Sequence, residues 1–208
     1  NKGHDAYTIF SLWDTYRAEM PFLGIIQPKR SADMINTMVD ICSQQGRLPV
    51  WHLWGNETDC MVGNPGIIAV ADAIVKDLPG IDRERAYQAL LTTAADTARG
   101  GALREKYGYI PCDLMNEAIA YDMEYAIADG AIAQAAKAMG DTATFRKFNE
   151  RSHSYRNYFD PTTGFIRGRF ADGSWRTPFD PNATTHRMDD YCEGNAWQYT
   201  WLVPQDID

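Results

Sequence analysis

The stretch NEAIAYDMEYAIADGAIAQAAKAMGD, residues 116–141, decides the fold. It reads as one long helix from Asn116 to Met139, closed by Gly140 and followed by Asp141 as the cap of a further helix through Tyr158. Toward the N-terminus the same grammar repeats. Asp82 caps a helix running to Thr97, Pro79-Gly80 is a turn, and Pro65 suits the first turn of a helix to Leu78. Ser31 opens a helix to Gln45, in which Met34, Ile35, Met38, Val39 and Cys42 form an apolar face, and Gly46 ends it. Thr15 to Ile26 reads as a helix kinked at Pro21 and broken at Pro28. Residues 47–58, Gly100-Gly101 and residues 106–111 read as loops.

Beyond Asp160-Pro161 the texture changes. Thr163-Gly164 and Asp172-Gly173 are turn dipeptides, and residues 165–170 and 174–177 read as the strands of a small β-hairpin. A last helix starts near Gly194. The sum is an all-α chain of helical hairpins with a β-hairpin near residues 164–177, expected to form a single domain over 1–208. Hairpins of this kind build open solenoids and closed (α/α)6 toroids, and the pattern does not choose between them. The loops are long and carry Trp, His, Asn, Glu and Asp, which is where sites tend to sit. Both ends read as cuts within a longer polypeptide.

Apolar residues make up 45% and charged residues 23%, ordinary for a globular protein of 208 residues. No apolar run is long enough to span a bilayer. The net charge of −8 argues against a nucleic-acid partner, which needs clustered Lys and Arg. Six Trp and eleven Tyr are many for this length, and core packing accounts for several. Cys42, Cys60, Cys112 and Cys192 have no metal-thiolate spacing and read as free thiols.

Three loop segments offer chemistry. In Phe10–Arg17, Trp13 beside Asp14 offers a stacking face and an acceptor for vicinal hydroxyls, although Asp14 also fits a helix N-cap with Trp13 packed beneath it. In Trp51–Asp59, two Trp stand with Asn56, Glu57 and Asp59, and a well-bonded loop explains them equally. In Asp189–Trp201, Glu193 sits near a helix start among aromatics that would favour its protonated form, as a general acid requires, or it merely complements the helix dipole. Glu117 opens the longest helix, where carboxylates are commonplace.

The runs FSLWDTYRAEMP, GRLPVWHLWGNETDCMVG, YGYIPCDLMNEA, YFDPTTGFIRGRFADGSWRTPFDP and EGNAWQYTWLVP stand in this order across nearly the whole chain. Together they resemble the catalytic domain of glycoside hydrolase family 92, the calcium-dependent exo-α-mannosidases. The resemblance implies an (α/α)6 toroid preceded by a β-sandwich domain, and hydrolysis of terminal α-mannosides with inversion. It implies Glu193 as general acid, with Trp13 and Asp14 lining the pocket for the terminal mannose and Glu57, Asn195 and Gln198 as further pocket residues. It implies Ca²⁺ as cofactor, with ligands not assignable here, and a general base in a block outside this chain. The partners implied are a mannose-containing glycan and the remainder of the polypeptide, with a periplasmic or extracellular location.

Two other readings fit the residues: an (α/α)6 glycosidase for a different sugar, and a non-catalytic helical-hairpin scaffold that binds protein or glycan.

Overall fold

A computed structural model describes residues 3–207; Asn1, Lys2 and Asp208 lie outside the described residues, so the reading of the two ends is untouched by it. In chain order, β1 (Phe10–Ser11) runs into α1 (Leu12–Thr15), followed by α2 (Glu19–Ile26), α3 (Pro28–Gln45), β2 (Trp51–Leu53), β3 (Asn56–Glu57), α4 (Pro65–Val75) and α5 (Arg83–Ala94). Then come α6 (Gly101–Tyr107), α7 (Ala118–Met139), α8 (Thr142–Arg151), β4 (Phe159–Asp160), β5 (Phe165–Ile166) and α9 (Ala196–Thr200). The chain is helix-rich, as expected, with short antiparallel strand pairs.

Two compact units divide it. One holds the chain through Asp96 together with Ala128–Asn149; the other holds Thr97–Ile127 and the chain from Glu150 onward. In the first, α3 packs against α2, α4 and α5. Leu12, Ile35, Met38, Leu48, Ile67, Val70, Ile74, Leu90 and Ile132 form its fully buried centre. In the second, Ile110, Cys112, Ala118 and Tyr125 form a smaller apolar cluster. Beside it runs a buried polar network. Arg104 Nε donates to Asp122 Oδ1, and Asp122 Oδ2 accepts from Ile110 N at 3.1 Å and Tyr158 Oη at 2.9 Å. A buried charge persists only when so completely partnered.

Helix ends follow the expected signals where those signals are local. Gly46 closes α3 at φ +87, Asp82 Oδ1 accepts from Arg85 N, and Asp141 Oδ1 accepts from Thr144 N. Several boundaries move. The helix expected over Thr15–Ile26 is two: Pro21 falls in the first turn of α2, where the missing amide costs nothing, so it does not kink a longer helix. Pro28 opens α3 as its first residue, which puts Ser31 inside the helix and not at its cap. Gly101, Lys106 and Tyr107, expected as loop, fall within α6, because Gly100 and Gly108 take φ +89 and +77 and delimit a short helix between them. The helix after Asp141 ends at Arg151, with a 3-10 turn over Ser154–Asn157.

The loop expected over residues 47–58 holds β2 and β3, which join β1 in a three-stranded antiparallel sheet with Phe10 opposite His52 and His52 opposite Glu57. The β-hairpin expected near 164–177 is shifted. Phe165–Ile166 pairs with Phe159–Asp160, and the Asp172-Gly173 turn carries a single bridge, Arg169 to Trp175. All four cysteines are free. Among the described residues no helix is long and apolar enough to cross a membrane.

Candidate active site

The six residues singled out by sequence fall three to each unit. In the first unit, β1 ends in the Leu12 amide, which donates to Val50 O at 3.2 Å and starts α1 at the sheet edge. Trp13 is half-buried. The Arg17 guanidinium lies 4.8 Å from the centre of its ring, and Arg17 Nε donates to Trp13 O at 3.1 Å. Trp13 Nε1 is buried and has no hydrogen-bond partner. Asp14 is exposed within α1; the N-cap position is Ser11, so the helix-cap reading of Asp14 does not hold.

Glu57 stands just after a two-residue turn. Trp54 and Gly55 take φ +50 and +81, the left-handed pair that suits a tight hairpin, and Trp54 is 82% exposed at its tip. The Glu57 carboxylate gathers four amides: Val50 N at 2.7 Å on Oε2, and Trp51 N, Thr58 N and Asp59 N at 2.9–3.0 Å on Oε1. Its chemistry is therefore to hold the loop that presents Trp51 and Trp54.

In the second unit, Glu193, Asn195 and Gln198 share one turn of chain. Asn195 Oδ1 accepts from Trp197 N at 3.1 Å and Gln198 Oε1 accepts from Asn195 N at 2.8 Å, a capping box at the start of α9. Glu193 is exposed and sits at φ +49, a conformation that strains any non-glycine residue. On its other side Cys192 is pinned: Tyr199 Oη accepts from Cys192 N at 3.2 Å and donates to Cys192 O at 2.8 Å.

The segment leading to Glu193 is fixed from beneath. Glu117 N donates to Asp189 O at 2.7 Å and Ala120 N to Asp190 O at 3.2 Å, so this loop satisfies free amides at the start of α7. Asp190 is buried and pairs with Arg176 through Oδ2 to Nε at 2.8 Å and Oδ1 to Nη2 at 2.9 Å. Gly168 passes so close that a Cβ there would lie 2.1 Å from Asp190 Oδ2. Burial pushes the Asp190 carboxyl up, and burial followed by the charge of Asp190 pushes the Cys112 thiol up to about 12. Burial, then the Glu117 carboxylate that faces it, raises the Cys192 thiol as well. Sequence reasoning set Glu117 aside as an ordinary first-turn acid, because the loop it meets lies far along the chain, and gave no role to Tyr199 or the Arg176–Asp190 pair, whose bonds run through irregular chain with no period to reveal them.

Among the described residues no group of three or more His, Cys, Asp or Glu is placed to hold a metal ion.

The arrangement has close relatives. The family GH92 α-mannosidase BT3965 from Bacteroides thetaiotaomicron, solved in complex with mannoimidazole, matches with a TM-score of 0.95 at 41% identity, over 99% of this chain and 28% of that one. The family GH92 inverting mannosidase BT2199 from Bacteroides thetaiotaomicron VPI-5482 matches with a TM-score of 0.88 at 30% identity, over 96% of this chain and 28% of that one. The GH92 family glycosyl hydrolase ccman5, at 21% identity and a TM-score of 0.74, covers 100% of this chain with 27% of its own and shares the fold. The chain thus spans 28% of the length of the first two relatives. No curated protein matches the sequence. The family described as "Glycosyl hydrolase family 92 catalytic domain" matches residues 1–208, and the chain belongs to that family.

Proposed function

We propose that this chain is the acid-bearing part of an inverting exo-α-mannosidase, which removes terminal α-linked mannose from glycans. The observation that carries the reading is Glu193: an exposed carboxylate on strained backbone, clamped by Tyr199 before it and a capping box after it, in a chain of this family. A catalytic acid needs such a fixed position.

In the proposed reaction Glu193 donates its proton to the glycosidic oxygen as the bond to C1 breaks. A water attacks C1 from the opposite face and gives its proton to a general base carried outside this chain. Inversion needs the two carboxyl groups roughly 6.5–9.5 Å apart, so that the water fits. Trp13 and Asp14 bind the terminal mannose, Trp13 through its half-buried ring and Asp14 as an exposed acceptor. Glu57, Asn195 and Gln198 spend their polar atoms on loop and cap, so their part is to hold the binding surface in place.

The helical hairpins accord with an (α/α)6 toroid completed by the rest of a longer polypeptide, with a β-sandwich domain before it. Calcium is the cofactor proposed for the whole enzyme, with no ligand assigned within this chain. A periplasmic or extracellular location is proposed on family grounds alone.

The test is hydrolysis of a panel of α-linked mannobioses by the full-length protein, followed by proton NMR. The expected result is release of mannose whose first-formed anomer is β. First-formed α-mannose, or no mannose from any linkage, overturns the reading.

A further inference from the structure

A two-residue hairpin turn with both central residues left-handed is normally filled by Asn-Gly, Asp-Gly or Gly-Gly, because a bulky side chain is strained there. In the hairpin of β2 and β3, Leu53 pairs with Asn56, and the residues between them are Trp54 and Gly55, at φ +50 and +81. Trp54 thus carries the largest side chain into a conformation that favours the smallest. Burial does not offset the strain, since Trp54 is 82% exposed. An exposed indole on left-handed backbone breaks a local rule with no structural gain, and such breaks point to a function.

The turn is also held still. At the base of the hairpin the Glu57 carboxylate ties the amides of Val50 and Trp51 to those of Thr58 and Asp59. At its tip Asn56 Nδ2 donates to Trp54 O at 3.4 Å. A ring on so fixed a support loses little freedom on binding. The same sheet leads to the residues proposed to bind the terminal mannose: β2 pairs with β1, and β1 runs into α1 with Trp13 and Asp14. Val50 O accepts from Leu12 N where α1 starts, and Trp54 stands four residues after Val50. At strand spacing that is about 13 Å, more than the length of one pyranose ring.

We propose that Trp54 stacks on a sugar ring of the glycan beyond the terminal mannose, which makes it a specificity-determining residue. The C–H groups on one face of a pyranose are apolar, and an exposed indole is the widest flat apolar surface that a side chain offers them. The inference rests on the mannosidase reading and adds to it a contact outside the terminal-mannose pocket.

The test compares the full-length protein with its Trp54→Asn variant, which suits the left-handed turn and removes the ring. The ratio kcat/KM is measured on α-linked mannotrioses and on an activated aryl mannoside, which carries no sugar beyond the terminal one, and the melting temperature is recorded. The expected result is a preference for triose over aryl mannoside that falls about fivefold or more, with a melting temperature unchanged or higher. A smaller change in that preference overturns the inference. So does a lowered melting temperature, because Trp54 would then pack against another part of the polypeptide. Should the variant fail to fold, oxidation of Trp54 in the parent protein decides. Ready oxidation that mannotriose suppresses supports the inference; protection without the glycan, or none with it, overturns it. A parent protein that releases mannose from none of these substrates overturns the mannosidase reading and this inference together. A parent that does release it, beside an unchanged preference in the variant, overturns this inference alone.

Discussion

The Tyr199 hydroxyl holds both polar groups of Cys192, accepting from its amide at 3.2 Å and donating to its carbonyl at 2.8 Å. Both residues are buried, so removing the hydroxyl leaves an amide and a carbonyl without their shared partner. Each such group costs about 1–3 kcal/mol. Tyr199→Phe should therefore lower stability by about 2 kcal/mol, read as a fall in the urea midpoint at unchanged slope. Because Glu193 follows Cys192, mannose release per folded molecule should fall as well. A lower midpoint with undiminished release would make the clamp purely structural.

The acid role of Glu193 predicts a split between substrates. In the full-length protein Glu193→Gln should abolish most hydrolysis of mannobiosides, whose leaving group needs a proton, and should spare much of the hydrolysis of activated aryl mannosides. Steady-state rates on the two classes check it. Equal loss on both would assign Glu193 another task.

Gly168 predicts a steric failure far from any polar substitution. A Cβ there would meet Asp190 Oδ2 at 2.1 Å and Cys112 Sγ at 2.9 Å, and neither can retreat without loosening the Arg176–Asp190 pair. Gly168→Ala should cost about 3 kcal/mol or more, between ordinary overpacking and the breaking of a buried pair. Equilibrium unfolding in urea measures it; a loss under about 1 kcal/mol would mean that the loop shifts freely.

How far the sequence could be read follows from how local each signal is. Gly46, Asp82 and Asp141 mark helix ends through their own turns, and the structure keeps all three. The β1–β2–β3 sheet was hidden because strands of two or three residues carry no period, and its register comes from the Trp54-Gly55 turn and the Glu57 carboxylate. Asn195 and Gln198 stand three residues apart, the spacing of a capping box, but with the last helix read as starting near Gly194 they stood out as pocket residues and not as the cap of α9. Glu117 looked like any first-turn acid because the carbonyls that displace it from its usual role, Asp189 and Asp190, lie some seventy residues downstream.

Asp160 gives a pH prediction with a definite sign. The Thr162 hydroxyl and amide at 2.6 and 2.9 Å, and the Arg167 guanidinium at 2.9 Å, hold its carboxyl below the ordinary 3.8. A depressed folded-state value means that the unfolded chain binds the proton more readily. The stabilisation is thus complete above about pH 4 and is lost as pH falls through the lower folded-state value. The melting-temperature gap between the parent and Asp160→Asn should be widest near neutrality and should narrow in acid. A gap that is constant from pH 7 to pH 3 would show that the charge contributes nothing.

The last prediction concerns the chain by itself. Inversion requires an acid and a base on opposite faces of the sugar, and the proposal assigns only the acid to these 208 residues. An acid without a base can protonate the leaving oxygen but cannot deprotonate the attacking water, and each missing contribution costs about 10²–10⁴ in rate. The isolated chain should therefore show no detectable turnover of an α-linked mannobiose, with or without added calcium. The full-length protein should show turnover that chelation abolishes and calcium restores. Turnover by the isolated chain would require a base within it, and the exposed Asp14 would be the first carboxylate to test, by Asp14→Asn.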